Sequence, residues 1–192
     1  MKLTKTNHVK IYGHRGARGD LPENTLESFK YLFENKISAY ETDILLTKDL
    51  IPVVYHDFRL NPALTKDAQS NWIEDNDIKI FDLTYEELSK FKIGEIDKKS
   101  KYGRRFDNQK SLGEIKIPKL SDLLELTSNY ISDALIINLE IKSTPVEDNL
   151  TPPPNVMARI IIDEVNKTEL KDKIIYSSFD WRILREIKNL DS

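Results

Sequence analysis

Two histidines stand directly after apolar stretches of the 192-residue sequence, in the strings YGHRG and VVYHD. They are His14 and His56, whereas the third histidine, His8, has no such setting. Each has a charged neighbour, Arg15 or Asp57. Imidazole is the side chain best suited to proton transfer near neutral pH, so the pair is a candidate general acid and base. One such histidine would be more typical of a structural role, and the repetition favours catalysis.

Carboxylates also occur in pairs near the ends of apolar stretches. Glu41 and Asp43 are two residues apart in the apolar segment 39–45, which places both side chains on one face of a strand. Two such carboxylates repel each other and lose hydration unless a cation neutralises them, which favours a divalent-cation site over an edge strand with a solvated face. Glu140 and Lys142 repeat the spacing in ALIINLEIK, where a buried ion pair is the alternative.

Together these side chains are the ones that metal-assisted phosphoryl transfer uses: three carboxylates, two histidines, an arginine and a lysine. The loop GHRGARG adds Arg15 and Arg18, which could clamp a phosphate, but it lacks the GxxxxGK[ST] spacing of a Walker loop. Asn24 could hydrogen-bond into the same site, although helix capping alone would explain it.

Periodicity places these residues on alternating strands and helices. The predicted strands are 9–12, 39–45, 51–55, 134–141 and 173–177. The predicted helices are one capped by Asn24, one by Thr84, one over 120–126 capped by Ser121, one over 156–165 and one capped by Asp180. Between them, residues 58–117 are rich in Asn, Asp and Lys, which is typical of an inserted, loop-rich segment.

This alternation predicts a parallel α/β fold, either a small doubly wound sheet or a (β/α)8 barrel. At roughly 30 residues per βα unit, the sequence outside 58–117 supplies about four units. A closed barrel needs about eight, so a barrel-type chain would hold only its first half.

Composition excludes several classes of protein. The chain has 29 Lys and Arg against 32 Asp and Glu, a net charge of −3, which leaves no basic excess for nucleic-acid binding. It has no cysteine, which excludes disulfides, thiolate zinc sites and a cysteine nucleophile. No apolar run reaches the ~18 residues of a membrane span. No apolar segment follows Lys2 and Lys5 as in a secretory signal, so we expect a cytoplasmic protein, with a periplasmic or secreted one as the alternative.

The strings GHRGARGDLPENTLESF and ETDILLTKDLIPVVYHD, followed in order by NLEIK and SSFDWR, resemble the glycerophosphodiester phosphodiesterase family. RLNPALTKDAQ, DLTYEEL and IPKLSDLLEL resemble the insertion of one bacterial branch of it. The resemblance covers nearly the whole chain. It implies a TIM (β/α)8 barrel with a small insertion, here 58–117, after the second strand. Residues 1–192 would form a domain that contains only about the first half of this barrel.

The resemblance also implies a reaction, the hydrolysis of a glycerophosphodiester to sn-glycerol 3-phosphate and an alcohol such as choline or ethanolamine. The implied roles are general acid and base for His14 and His56, ligation of one divalent cation, Mg²⁺ or Ca²⁺, for Glu41, Asp43 and Glu140, and phosphate contacts for Arg15 and Lys142.

Two departures from the family keep other interpretations open. The last four barrel strands, which members carry after SFDWR, are absent, and so is the export signal that relatives with this kind of insertion often have. A half barrel would leave strand edges unpaired, so we expect self-association or a missing C-terminal half. The alternatives are a non-catalytic remnant that binds metal or phosphate, and a lysophospholipase D-type activity.

Overall fold

Five strands form one sheet in the computed structural model, which describes residues 9–147 and 149–190. The strands are β1 (Gly13–His14), β2 (Ala39–Leu46), β3 (Pro52–Val54), β4 (Ile136–Ile141) and β5 (Ile174–Ser177). The α-helices are α1 (Leu26–Glu34), α2 (Tyr85–Leu88), α3 (Leu120–Ser128), α4 (Pro154–Val165) and α5 (Trp181–Leu190).

The sheet has the order β1-β2-β4-β5, and these four strands are parallel. Their register places Glu41 opposite His14 and Asp43 opposite Glu140. The carboxyl ends of the parallel strands therefore meet at one edge of the sheet, which is where α/β proteins bind their ligands.

Two apolar clusters hold this arrangement. The larger one joins the sheet to α1, α3, α4 and α5, with Phe29, Tyr40 and Ile161 fully buried in it. The smaller one lies mainly within 58–117, a segment of short turns, a few isolated bridges and α2, and it includes Leu60 and Ile80. None of the helices in the described part of the chain is long and apolar enough to cross a bilayer.

The strand predicted at 9–12 is wrong, because β1 contains only Gly13 and His14. Gly13 pairs with Tyr40, one residue after the start of β2, so the residues before position 12 have no residue of β2 opposite them. Val9 is accordingly 92% exposed despite its apolar side chain. The other predicted strands are present with ends shifted by up to two residues.

Two predicted caps are also wrong. Helix α1 is capped by Thr25, whose Oγ1 accepts from Ser28 N, and Asn24 lies outside the helix with a φ of 56°. Helix α3 begins after Lys119, whose backbone N–H donates to Asp122 Oδ2, so the predicted cap Ser121 lies inside the helix. In both cases several polar residues near the helix start could cap it, and backbone geometry decides among them. The caps Thr84 and Asp180 are confirmed.

The segment 51–55 forms β3, which pairs antiparallel to β2 and so departs from the parallel pattern. The chain turns back after β2, and the Tyr55 N–H donates to the Asp43 carbonyl. This hairpin returns the residue after Tyr55, His56, to the level of the carboxylates on β2.

The loop between β1 and α1 depends on Gly16. Its φ is +78°, in the left-handed region that favours glycine. A Cβ at this position would lie 1.9 Å from Ser28 Oγ, which accepts a hydrogen bond from Ala17 N at 2.9 Å. The glycine therefore allows α1 to pack closely against the loop that follows His14.

We expect Gly16→Ala to lower the free energy of unfolding by about 2 kcal/mol, because it combines backbone strain with a steric clash. Gly19→Ala is the matched control, since a Cβ there has no heavy atom within 4 Å and its φ is not left-handed. Its effect should stay within about 0.5 kcal/mol. Urea denaturation of both variants measures the difference, and equal losses would contradict the argument.

Candidate active site

Three carboxylates converge at the carboxyl edge of the sheet. One oxygen each from Glu41, Asp43 and Glu140 can be chosen such that all three lie within 4.8 Å of one another. The Asp43 side chain is only 1% exposed, and Glu41 is also buried. Glu41 Oε1 and Asp43 Oδ1 are buried oxygens without a hydrogen-bond partner. Two orphaned anionic oxygens in so small a space are unfavourable unless a cation lies between them.

Asn24 holds Asp43 in this orientation. Its Nδ2 donates to Asp43 Oδ2 at 3.0 Å, and its Oδ1 accepts from Thr42 Oγ1 at 3.0 Å. The backbone of Asn24 is fixed in turn by a hydrogen bond from its N–H to the Arg15 carbonyl. One carboxylate oxygen of Asp43 is thus engaged by the amide, and Oδ1 is left for another partner.

Burial has a large effect on the titration of these groups. Burial and the neighbouring charge of Asp43 raise the pKa of Glu41 to about 7. Burial also raises the pKa of Asp43, although His56, Asn24 and the two nearby cations oppose the shift. Both shifts show that the protein alone does not fully stabilise the ionised carboxylates.

Two cations border the carboxylates. Lys142 Nζ lies 2.8 Å from Glu140 Oε1 and 3.7 Å from Asp43 Oδ1, so the ion pair considered for Glu140 is formed. Arg15 Nη1 donates to Glu23 Oε1 at 2.9 Å, and its Nε lies 3.3 Å from Asp43 Oδ2. Burial lowers the pKa of Arg15, but the charges of Glu23 and Asp43 outweigh it and raise the pKa overall.

His14 lies at the end of β1 and contacts both a carboxylate and an arginine. Its Nε2 is 3.6 Å from Glu41 Oε2, and its Nδ1 is 3.0 Å from Arg18 Nη2. A guanidinium only donates, so Nδ1 accepts and the neutral ring carries its proton on Nε2. The side chain is 55% exposed, and partial burial together with Arg18 and Arg15 lowers the pKa of His14.

His56 is oriented by the residue that follows it. Its Nδ1 lies 2.5 Å from Asp57 Oδ1, and Asn61 Nδ2 donates to the other oxygen of Asp57 at 3.0 Å. Burial opposes ionisation of Asp57, but the hydrogen bond from His56 outweighs it and lowers the pKa of Asp57. An ionised Asp57 accepts a hydrogen bond from Nδ1–H, which leaves Nε2 of a neutral His56 as an acceptor.

The structure brings all seven candidate side chains to one place, namely His14, Arg15, Glu41, Asp43, His56, Glu140 and Lys142. The alternative of an edge strand with a solvated face is wrong, because β2 lies between β1 and β4 and all its residues are buried. Sequence reasoning missed Glu23, which lies two positions before the end of the string PENT, and Tyr102, which donates a hydrogen bond to Glu23 Oε2. No local pattern singles out Tyr102.

Comparison with known proteins decides the family. Residues 14–192 match the model of the glycerophosphoryl diester phosphodiesterase family, which is nearly the whole chain. The chain belongs to this family. A glycerophosphodiester phosphodiesterase from Bacillus altitudinis is 28% identical over 89% of the chain and 58% of its own length. One from Caldanaerobacter subterraneus is also 28% identical, over 94% of the chain and 62% of its own length. The chain thus spans about 60% of the length of these relatives.

Solved structures of family members have the same fold. A Silicibacter pomeroyi protein assigned to the glycerophosphoryl diester phosphodiesterases is 34% identical, with a TM-score of 0.89 over 95% of this chain and 61% of its own. An Oleispira antarctica phosphodiesterase, solved with the product sn-glycerol 3-phosphate, is 26% identical, with a TM-score of 0.65 over 95% of this chain and 62% of its own. These neighbours are TIM barrels, so the predicted fold class is confirmed and the doubly wound alternative is wrong.

The three carboxylates fit a divalent cation. They offer only oxygen ligands, which is the donor set that hard divalent cations prefer. Their two orphaned buried oxygens also supply the negative charge that such an ion would neutralise.

We expect a divalent cation to raise the melting temperature more at about pH 8 than at about pH 5.5. The pKa of Glu41 is raised to about 7, above that of an unfolded chain, so its ionisation destabilises the fold progressively as the pH rises from the ordinary glutamate range through about 7. A bound cation would relieve this cost at high pH, whereas at low pH it would first have to displace a proton. Thermal melts with and without Mg²⁺ or Ca²⁺ measure the difference, and a larger shift at low pH would contradict it.

Proposed function

We propose that the protein hydrolyses glycerophosphodiesters to sn-glycerol 3-phosphate and an alcohol. The observation that carries this proposal is the set of three converging carboxylates with orphaned oxygens, bordered by two histidines and two cations. Membership of the family and the sn-glycerol 3-phosphate bound by the Oleispira antarctica relative support the substrate class.

The carboxylates of Glu41, Asp43 and Glu140 would hold one divalent cation, Mg²⁺ or Ca²⁺. When bound, the cation supplies Lewis-acid polarisation of a phosphoryl oxygen and neutralises charge that develops during the reaction. Asn24 would support this ligand set, because its amide donates a hydrogen bond to Asp43 Oδ2 and leaves Oδ1 available to the cation.

Arg15 and Lys142 would bind the phosphate of the substrate. Both side chains are mostly buried beside carboxylates, so their charges are weakly screened and can orient a phosphodiester. Arg15 is held by Glu23 and Lys142 by Glu140, and each cation therefore has a defined position before substrate binds.

His14 and His56 would transfer the protons of the reaction. One would take the proton of an attacking glycerol hydroxyl while the other protonates the oxygen of the leaving alcohol, and water would then open the resulting cyclic phosphate to give sn-glycerol 3-phosphate. Asp57 accepts a hydrogen bond from Nδ1–H of His56, which leaves Nε2 to exchange a proton with the substrate. Arg18 orients the ring of His14 through a hydrogen bond at Nδ1. Here the arginine is the donor and Nδ1 is the acceptor.

The domain that carries this activity would comprise residues 1–192, with 58–117 as an insertion. The insertion follows β3 and supplies most of the smaller apolar cluster, which supports this division. Because the chain spans about 60% of its relatives, the remaining strands of their barrel would come from further polypeptide or from a second copy of this chain.

We expect the 192-residue chain to release sn-glycerol 3-phosphate from glycerophosphocholine, to lose this activity in EDTA, and to regain it with Mg²⁺ or Ca²⁺. A coupled assay for glycerol 3-phosphate measures it. Activity that EDTA leaves unchanged would contradict the role of the carboxylates. A folded chain that binds the cation without any turnover would favour the non-catalytic alternative.

We expect His14→Ala and His56→Ala each to lower kcat by about a hundredfold or more, because each removes a proton-transfer group. His8→Ala is the control, because it lies outside both the described residues and the matched range 14–192. Circular dichroism and melting temperature verify that the variants remain folded. Turnover close to the unmodified chain in either active-site variant would refute its assignment.

A further inference from the structure

The segment 97–110, which lies within the insertion, packs against the loop that follows β1. Gln109 Nε2 donates to the Arg18 carbonyl at 2.8 Å, and Lys110 N donates to the Asp20 carbonyl at 2.8 Å. Although these partners are about ninety positions apart in sequence, both contacts join the same two stretches. The insertion is therefore in direct contact with the loop that follows His14.

This segment is also fixed internally. Lys98 Nζ donates to the carbonyls of Phe106 and Asp107, each at 2.7 Å, and closes the segment into a loop. The rings of Tyr102 and Phe106 pack against each other with centroids 5.4 Å apart. Two aromatic side chains are thereby presented together from a defined backbone.

Tyr102 is linked to Arg15 by hydrogen bonds to the two carboxylate oxygens of Glu23. The Tyr102 hydroxyl donates to Glu23 Oε2, and Glu23 Oε1 accepts from Arg15 Nη1 at 2.9 Å. The Glu23 side chain is 8% exposed, so its oxygens rely on these hydrogen bonds rather than on water. Arg18 Nη1 lies 3.8 Å from the same oxygen that Tyr102 contacts. Without the Tyr102 hydroxyl, Arg18 would be the remaining partner of Glu23 Oε2. The carboxylate could then turn toward Arg18, which would weaken its hydrogen bond with Arg15.

Phe106 is linked to His14 through Arg18, which contacts both side chains. The Arg18 guanidinium lies over the Phe106 ring, 5.2 Å from its centroid, and its Nη2 donates to His14 Nδ1 at 3.0 Å. A planar cation on an aromatic face keeps its donors in a defined direction. The ring therefore helps to set the orientation of the imidazole.

We infer that segment 97–110 is a positioning element for the reaction: Tyr102 fixes the phosphate-binding Arg15 through Glu23, and Phe106 fixes His14 through Arg18. The inference rests on the proposed function for the roles of Arg15 and His14. None of the positioning residues need touch the substrate. Through Tyr102 and Phe106, the insertion therefore helps to orient the substrate-binding and proton-transfer groups in addition to forming its own packed structure.

One variant tests the link from Tyr102 to Arg15, and a second tests the link from Phe106 to His14. Tyr102→Phe keeps the ring and removes the donor, and we expect a KM for glycerophosphocholine and a Kd for sn-glycerol 3-phosphate about fivefold higher with kcat nearly unchanged. Phe106→Leu removes the aromatic face, and we expect a kcat about fivefold lower with KM nearly unchanged. Tyr102→Phe combined with Glu23→Gln should cost little more than Glu23→Gln alone, because both act through one contact.

The insertion supplies a matched control for each variant. Tyr85→Phe removes a hydroxyl that donates to the Ile117 carbonyl, and Trp72→Leu removes a ring that lies under Lys66 Nζ. These contacts are of the same kinds, but Lys66 pairs with Glu95 and Glu114 rather than with Glu23 or Arg18, through which the inferred positioning acts. Both controls should leave KM and kcat unchanged even where they lower the melting temperature.

A readout that needs no turnover separates this inference from the proposed function. In ¹⁵N-labelled protein at a pH where the ring is neutral, His14 should show a proton on Nε2, and Phe106→Leu should shift its tautomer equilibrium. Tyr102→Phe should shift the Arg15 Nε–H signal. If neither signal moves, or if both move in an active enzyme whose kinetic constants do not change, the inference is wrong. A wild-type chain without turnover would contradict the proposed function, and the two signals would still decide whether the contacts position Arg15 and His14.

Discussion

The proximity of three carboxylates at the carboxyl edge of the sheet is the constraint on which the rest of the site depends. Like charges within 4.8 Å in a buried environment are costly, and the raised pKa of Glu41, about 7, expresses that cost. The surrounding residues reduce it in different ways: Asn24 donates to Asp43, Lys142 pairs with Glu140, and Arg15 lies beside Asp43. Even so, two of the carboxylate oxygens keep no hydrogen-bond partner, which is the physical argument for a cation.

The same constraint explains the loops that surround the sheet. The left-handed Gly16 and Asn24 turn the chain so that an asparagine amide, rather than a helix cap, faces Asp43. The hairpin of β2 and β3 returns His56 to the carboxylates through a connection of five residues, 47–51, which is too short for a crossover helix. Departures from a regular βα repeat therefore occur where the site needs a side chain.

The sequence could predict the site residues better than their connections. Strand periodicity alone places Glu41 and Asp43 on one face, and the apolar stretches before His14 and His56 are visible without a structure. The cap of α1 could not be predicted, because Asn24 and Thr25 are both good caps and only the left-handed backbone of Asn24 excludes it. The antiparallel pairing of β3 and the contact of Tyr102 with Glu23 depend on long-range packing that has no local pattern.

The two halves of the candidate site differ in how far they depend on the edges of the sheet. The carboxylates lie on β2 and β4, which pair on both sides, so their positions are fixed by the central strands. His14 lies on β1, which pairs only with β2 in the described part of the chain, and its side chain is correspondingly exposed. Its orientation relies instead on Arg18, which the aromatic ring of Phe106 supports from the insertion. Under the proposed function, the cation ligands would therefore be held by the central strands together with Asn24, whereas proton transfer by His14 would depend on a contact that the insertion provides.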